Sequence, residues 1–496
     1  MVKKLSIFIF FVAFTLNAFS QTLTSQILDA ETQLPVPYAT VQTSEYNGVM
    51  TNDEGVFTLF TEDLSEKKDS ITISSLGYKT LKIPYKKNLP PTLKLSPDIY
   101  EVIPVLLTNR NMSAEDIMDM VKENKEQNYS FDYQKSSIFI RQSGSGNMKK
   151  FKFTINESSI DNINQKLLDQ TFGNVRKKYV YLNETLADVV IKNHSESKLM
   201  LQKSLSIQSK EELASGKKMQ EDFMKIMNDN FKSDSQLILK SGIIRLDKTE
   251  SIDSINKVMD KESNAPQSDK NKNFSEYKTR SVNNAMTQLF LNKKSDVDFL
   301  NKPGRYNFVK NGFANYEGDW LYIIDFEPDG SSGKYKGKLY IDAFSFAIVK
   351  AEFWGANEIF DKQFNLLGIK ANALTYKSTV IFKKENEKYI LKYLMRESSQ
   401  EAAIDRPLTV VEKNENVKGK KRINKVEVQM DMHVINLDRI ELVFDQNQIS
   451  SASVFENLKP NTEFESTQLF QYDPNFWNGY NIITPEKAIQ AIVIEE

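Results

Sequence analysis

Apolar and polar side chains alternate with a period of two through most of this chain. Between 22 and 107 the alternation is short and frequently interrupted. Ala39-Thr40-Val41 follows a Pro35-Val36-Pro37 break, and Val56-Phe57-Thr58-Leu59-Phe60 follows the polar turn Asn52-Asp53-Glu54-Gly55. Ile71-Thr72-Ile73, Leu81-Lys82-Ile83 and Leu93-Lys94-Leu95 repeat the pattern. Short alternating runs between Pro, Gly and Asp punctuation predict half-buried antiparallel strands, and this many at this spacing predict a sandwich. In the turn, Gly55 is expected at positive φ, with Phe57 returning to the inner face.

Beyond the first hundred residues the pattern changes twice. Ser113-Ala114-Glu115-Asp116 reads as a helix start, with Ser113 as cap and Asp116 three residues on as its reciprocal partner. Ile117, Met120 and Val121 then give a helical stripe, so 111–129 is expected to be a linker helix. From 130 alternation returns in Phe151-Lys152-Phe153-Thr154-Ile155 and Tyr179-Val180-Tyr181-Leu182. A Lys-, Glu- and Ser-rich stretch at about 195–280 reads as a helical, polar insertion; Phe223, Met224, Ile226, Met227 and Phe231 supply one amphipathic helix, and 261–276 reads as an exposed loop. After 285 the chain is strand-dense. Thr379 to Phe382 is expected to pair with Tyr389 to Tyr393, and another strand runs from Ile423 to Val434. The expected fold class is mainly β: a sandwich at 22–107, the linker helix, then a larger antiparallel β domain at 130–496 with inserted helices.

Three blocks of the first region resemble the carboxypeptidase-regulatory-like domain: Pro35-Val36-Pro37-Tyr38-Ala39-Thr40-Val41, Thr51-Asn52-Asp53-Glu54-Gly55-Val56-Phe57, and Ser74-Ser75-Leu76-Gly77-Tyr78. The resemblance implies a seven-stranded, Greek-key-like sandwich of the carbohydrate-binding-like kind, and an accessory role without the peptidase's own chemistry. A second, smaller resemblance lies in Leu339-Tyr340-Ile341-Asp342 and Ile348-Val349-Lys350-Ala351-Glu352. That strand, turn and strand are similar to part of the half-barrel of lipoprotein-carrier proteins, whose apolar concave face holds acyl chains.

Composition narrows the function. Lys3 and Lys4, the apolar run Leu5 to Phe19, and Ala18-Phe19-Ser20 make the three-part pattern of a secretory signal peptide, with cleavage expected after Ser20. The apolar run is shorter than the about 20 residues of a spanning helix. An exported chain is therefore expected, periplasmic or peripheral to the outer membrane of a Gram-negative envelope, with no transmembrane segment after cleavage. The chain has no Cys, so disulfides, a thiol nucleophile and a lipid-modified cysteine are ruled out. Its 65 Lys and Arg against 66 Asp and Glu give no overall field to attract phosphate backbones, so nucleic acid is not an expected partner.

Candidate chemistry is thin. His194 and His433 are the only histidines, and neither opens the His-x-x-Glu or His-Glu-x-x-His spacing of a zinc peptidase. There is no Gly-x-Ser-x-Gly elbow and no phosphate-binding loop. Asp325, Asp342 and Glu352 near strand ends could serve a carboxylate hydrolase, though such acids ordinarily face water. Lys418 to Arg422 could meet lipid phosphate. Tyr78 and Asp53 could touch a ligand, although turn residues of this kind ordinarily serve backbone geometry. The leading expectation is a non-catalytic binding or scaffold protein with no catalytic residue, metal or cofactor. Its partners would be envelope proteins or an apolar, lipid or glycan ligand. The alternatives are a carrier of an apolar ligand in the second domain and a carboxylate hydrolase.

Overall fold

The alternating runs of the first region become strands β1 (Thr22–Asp29), β2 (Thr40–Ser44), β3 (Asn47–Met50), β4 (Val56–Phe60), β5 (Ser70–Ser74), β6 (Leu81–Pro84) and β7 (Thr92–Leu95). They form two sheets, in the orders β4-β1-β7 and β3-β2-β5-β6. Strand β1 pairs antiparallel with β4 and parallel with β7. The inward positions Ile27, Val41, Phe57, Leu59, Ile71 and Ile73 are fully buried together. Gly55 has φ 70, and a Cβ there would run into the Ile27 carbonyl.

The structure, a computed structural model, describes residues 22–44, 47–62, 64–100, 112–129, 132–173, 177–208, 210–233, 235–242, 244–245, 250–251, 267–357, 360–413, 422–461 and 464–491. The expected signal peptide at 1–20 and all of the basic run except Arg422 lie outside the described residues. The chain divides into two compact units. One comprises Met1–Ile103, Gly312–Leu321 and Asp473–Ala491; the other comprises Pro104–Asn311, Tyr322–Tyr472 and Ile492–Glu496. Residues 473–491, expected in the larger domain, thus belong to the first unit. There Asn481 Oδ1 accepts from the Phe60 backbone N–H at 2.8 Å. Strand β8 (Ile99–Tyr100) pairs with Phe313 and Ala314 in the same unit.

Helix α1 (Ala114–Tyr129) opens the second unit. Its capping box forms: the Ser113 N–H donates to Asp116 Oδ2 and the Asp116 N–H to Ser113 Oγ, both at 3.0 Å. The helix was expected to link domains, but it is packed into this unit. Ile117, Met118 and Val121 are buried, and the Tyr129 hydroxyl donates to the Ile348 carbonyl at 2.8 Å. The strands that follow are β9 (Tyr133–Ser158), β10 (Lys178–Lys192), β11 (Glu196–Ile207), β12 (Gln236–Ser241), β13 (Ile244–Arg245) and β14 (Glu250–Ser251). After them come β15 (Tyr306–Tyr316), β16 (Asp319–Pro328), β17 (Tyr335–Asp342), β18 (Ile348–Gly355), β19 (Asp361–Leu366), β20 (Ile369–Glu385), β21 (Lys388–Lys413), β22 (Arg422–Ile449) and β23 (Thr467–Leu469). Their order in the sheet is β23-β11-β10-β9-β22-β21-β20-β18-β17-β16-β15, with β12 added to β21 and β19 to β20. Strand far outweighs helix, so the fold is mainly β as expected. Phe382 pairs with Leu391, which realises the expected pairing of those two strands.

The helices are α2 (Gln165–Phe172), α3 (Lys210–Asn230), α4 (Gln267–Thr287), α5 (Ala452–Asn457) and, in the first unit, α6 (Lys487–Gln490). Two expectations about the insertion at 195–280 need correction. Residues 196–207 are strand, because their apolar members Leu199, Leu201, Leu205 and Ile207 are buried beside β10. Residues 267–276, expected to be loop, begin α4. The buried side of that helix includes Ser275 and Lys278 as well as Val282, Ala285 and Met286, so apolar periodicity alone hides it. Among the described residues, no helix is long and apolar enough to cross a membrane.

Candidate functional site

Directly paired residues in an antiparallel sheet share a face, and so do residues two apart on a strand. Val426-Glu427-Val428-Gln429-Met430-Asp431-Met432-His433-Val434 on β22 alternates without a break. Register carries that alternation across the sheet. Val434 pairs with Met148 and Ala402; Met432 with Phe151 and Ile404; Met430 with Phe153 and Arg406. Ala402 continues to Ala371 and Phe364, and Ile404 to Ile369 and Leu366. One face of β9, β22, β21, β20 and β19 is therefore apolar over two successive rungs, and β9 and β22 carry it to a third, where β21 supplies Arg406.

The opposite face at this level is charged. Lys150 pairs in register with His433, and Lys152 with Asp431. Lys150 Nζ lies 2.8 Å from Asp431 Oδ2, and Lys370 Nζ lies 2.7 Å from Glu401 Oε2. His433 Nε2 is 2.9 Å from Glu401 Oε1. Glu401 is held below the usual carboxylate range: the Lys370 hydrogen bond lowers it, burial opposes, and Asn372 and His433 add to the lowering.

The apolar face is covered at both ends. At one end α3 and the turn leading into α2 cover it, burying Ile163, Met227 and Phe231 with Leu237 of the neighbouring strand β12 and Val426, against Ile155, Val410 and Val428. At the other, Ile138, Ile140, Val189, Leu394 and Leu442 are buried, with α4 held against β9 and β11 and α1 against β18 and β20. Helix α4 is tied down by polar contacts. Lys278 Nζ donates to Gln142 Oε1 at 2.7 Å, and Ser197 Oγ donates to Asn283 Oδ1 at 2.7 Å. Phe290 and Phe299 extend this cover, with Phe299 4.7 Å from Phe326 and 5.4 Å from Phe353, ring centre to centre. Burial pushes the Lys278 amine down to about 7.

Between these two ends the three rungs stay half exposed: Phe151, Phe153, Met430, Met432, Val434, Ile404 and Ile369 all keep partial access to solvent. Aromatic rings pave the approach. Phe172 of α2 packs 4.6 Å from Phe153, and Phe151 sits 5.1 Å from Phe153. One step nearer α4, Tyr179 and Tyr181 lie across Gly146 and Gly144, where a Cβ would strike their rings. Their hydroxyls donate to Asn436 Oδ1 (2.9 Å) and Asp438 Oδ1 (2.7 Å). Ser143-Gly144-Ser145-Gly146-Asn147 would ordinarily weaken a strand. Here the tyrosine rings fill the space that absent side chains leave, and β9 runs through unbroken.

On the charged face, above the α4 end, sits a buried polar chain. Arg141 Nε donates to Glu184 Oε1 at 2.6 Å, and its Nη1 is 3.5 Å from Glu441 Oε2. Glu441 also accepts from Arg439 (2.9 Å) and from the Tyr393 hydroxyl (2.7 Å). Burial favours the neutral form of Glu441, but the Arg439 and Arg141 guanidiniums outweigh it and hold the carboxyl below its ordinary range. These contacts tie β10, β9, β22 and β21 to one another.

The residues singled out from sequence are dispersed. His194 Nε2 contacts the Tyr129 carbonyl at 2.6 Å and His433 meets Glu401, in separate places. Asp342 accepts from the Phe344 and Ser345 N–H groups of its own turn; Asp325 faces Asn311 and Lys338; Glu352 pairs with Lys350. These acids serve a turn and two ion pairs and do not converge on one cleft. Arg422 lies 3.6 Å from Glu157. In the first unit the Tyr78 hydroxyl donates to Asp29 Oδ2 at 2.9 Å, and Asp53 accepts from Tyr38, so both groups fix turns. Among the described residues, no group of three or more His, Asp or Glu side chains is placed to hold a metal ion.

No family model and no curated relative matches the chain. Among solved structures it overlaps a LolA-superfamily protein from Nitrosomonas europaea at 9% identity, covering 69% of this chain and 97% of that one, with a TM-score of 0.20. It overlaps the MucA/MucB complex structure from Pseudomonas aeruginosa at 6% identity, covering 65% and 93%, with a TM-score of 0.17. A DUF1329 family protein from Desulfovibrio piger gives 8% identity, 70% and 98% coverage, and a TM-score of 0.18. Scores this low do not establish a shared fold. The carboxypeptidase-regulatory-like resemblance of 22–107 gains no support from these comparisons.

Proposed function

We propose that the second unit is a non-catalytic binding module of an exported envelope protein, and that it takes a long apolar ligand of the acyl-chain type on the half-open stretch of its sheet. One observation carries the reading: the face is sealed by helices at both ends, while Phe151, Phe153, Met430, Met432 and Val434 between them remain half exposed. Exposed apolar area that is contiguous and flanked by polar groups marks an interaction surface. Methionine side chains suit a surface that must fit chains of varied shape, since they are unbranched and polarisable. Ala402 and Ala371, with the smallest of side chains, share the Val434 rung. Export rests on the pattern of residues 1–20.

The test is titration of the chain from Gln21 with a fluorescent polyene fatty acid. Saturable binding is expected, and Met432→Asp should abolish it while far-ultraviolet circular dichroism stays as in the parent. If no saturable binding occurs, or if Met432→Asp binds as well as the parent, the apolar face is not a ligand site. Stable capture of a protein by this face, displaced by no lipid, would favour the scaffold reading instead.

A further inference from the structure

The hairpin that joins β19 to β20 has an apolar tip. Phe364 is 43% exposed, and Leu366 and Leu367 are each 57% exposed. Single exposed apolar residues are ordinary on protein surfaces, but three within four positions at one hairpin end are not. Leu366 pairs with Ile369, so Leu367 and Gly368 are the two central residues of a two-residue turn. Their φ values are 52 and 76. A turn with positive φ at both centres favours Asn-Gly or Asp-Gly, because a larger side chain crowds its own backbone there. The comparable turn between β20 and β21 uses Asn386 and Glu387. Leucine at this place is thus unfavourable for the backbone and for solvation alike.

We infer that this tip inserts into a lipid bilayer surface, with Phe364, Leu366 and Leu367 entering the boundary between headgroups and acyl chains. The inference rests on the acyl-ligand reading of the adjoining face and extends it to the source of the ligand. Continuity supports it: Leu366 lies on the same rung as Ile369, Ile404, Met432 and Phe151, so the tip is the outer end of the half-open apolar strip. Size supports it as well. A stable protein partner would need about 800 Å² on this side, far more than one hairpin end presents, whereas interfacial insertion needs only about 5–10 Å of penetration. Nearby charge is balanced, with Lys370 on Glu401 and Lys334 on Asp361 at 2.7 and 2.8 Å. Insertion should therefore be driven by apolar burial and depend little on anionic lipid or on salt.

Flotation of the chain from Gln21 with phosphatidylcholine vesicles tests this. The parent should float, and raising the salt should not release it. Leu366→Asp combined with Leu367→Asn should weaken partitioning by about tenfold or more. The turn variant Leu367→Asn, which leaves Leu366 and the paired rungs intact, should still bind the soluble polyene fatty acid, which separates failure of the tip from failure of the apolar face. Leu367→Asn alone supplies a second arm. It should reduce flotation while the unfolding temperature holds or rises, because asparagine suits the turn better. A purely structural leucine would give the opposite result. A parent that does not float, one that floats only with anionic lipid or low salt, or variants that float like the parent would each overturn the inference.

Discussion

The small sandwich and the long sheet use the same alternation and end differently. In the sandwich, the apolar face of each sheet finds the other sheet, and Ile27, Phe57, Leu59, Ile71 and Ile73 are wholly buried. In the long sheet, the described helices of the second unit cover the ends of the apolar face, while Met430, Met432 and Val434 between them keep partial exposure. Period-two alternation thus selects a face, and what lies opposite decides whether that face is core or binding surface.

The largest effect expected from sharpening this comparison lies in the sandwich. Phe57→Ala removes a ring packed from two sides and should destabilise the first unit by ~3–5 kcal/mol. Urea unfolding followed by circular dichroism would measure it. A loss below about 1 kcal/mol would mean that the two sheets do not close on this ring. Glu441→Ala should be of similar size, about 3–5 kcal/mol, for a different reason: it leaves Arg141 and Arg439 buried with one partner fewer. The native Glu441 carboxyl is depressed, so its contribution is complete above the ordinary carboxylate range. It fades as pH falls through the native value. The parent's stability should therefore fall with acid more steeply than that of the variant.

Helix α4 offers the next effect. The Lys278 amine falls from 10.5 unfolded to about 7 folded, so the unfolded chain binds more protons between those values. The parent should gain stability as pH rises from about 7 toward 10.5. Lys278→Met should be more stable than the parent at pH 6, by on the order of 2–4 kcal/mol, and the gap should narrow by pH 10. Thermal unfolding at the two pH values reads the difference directly; a constant gap would show that the buried amine keeps its ordinary affinity for protons.

Much of this architecture was open to reading from sequence. The turn before Phe57, the capping box at Ser113 and Asp116, the alternation at Phe151 to Ile155 and the pairing of Phe382 with Leu391 are all local, and local chemistry determines them. What escaped notice depends on distant register. Arg141 meets Glu184 and Glu441, 43 and 300 positions away, and no spacing rule joins three such residues. Helix α4 was hidden because Lys278 and Ser275 occupy its buried side. Strand β11 was hidden by its lysines and serines. The half-open face itself was half legible. Val426 to Val434 announces an apolar side plainly, but only the placement of α2, α3 and α4 decides how much of that side remains uncovered.

The smallest expected effect is the most informative. Met430→Ala with Met432→Ala removes two large side chains from the middle rungs, yet both are half exposed and already lack neighbours on one side. Truncation there opens no closed cavity, so the transfer loss is partial and the cavity loss is absent. The pair should cost together about 1 kcal/mol or less in urea unfolding, against the several kcal/mol of Phe57→Ala. If the pair costs as much as Phe57→Ala, the middle rungs are core, the comparison between the two regions collapses, and the acyl-binding reading collapses with it. A small stability loss accompanied by weaker fatty-acid binding places these two methionines among the residues that hold a ligand, since side chains that only stabilise the fold would not separate the two measurements.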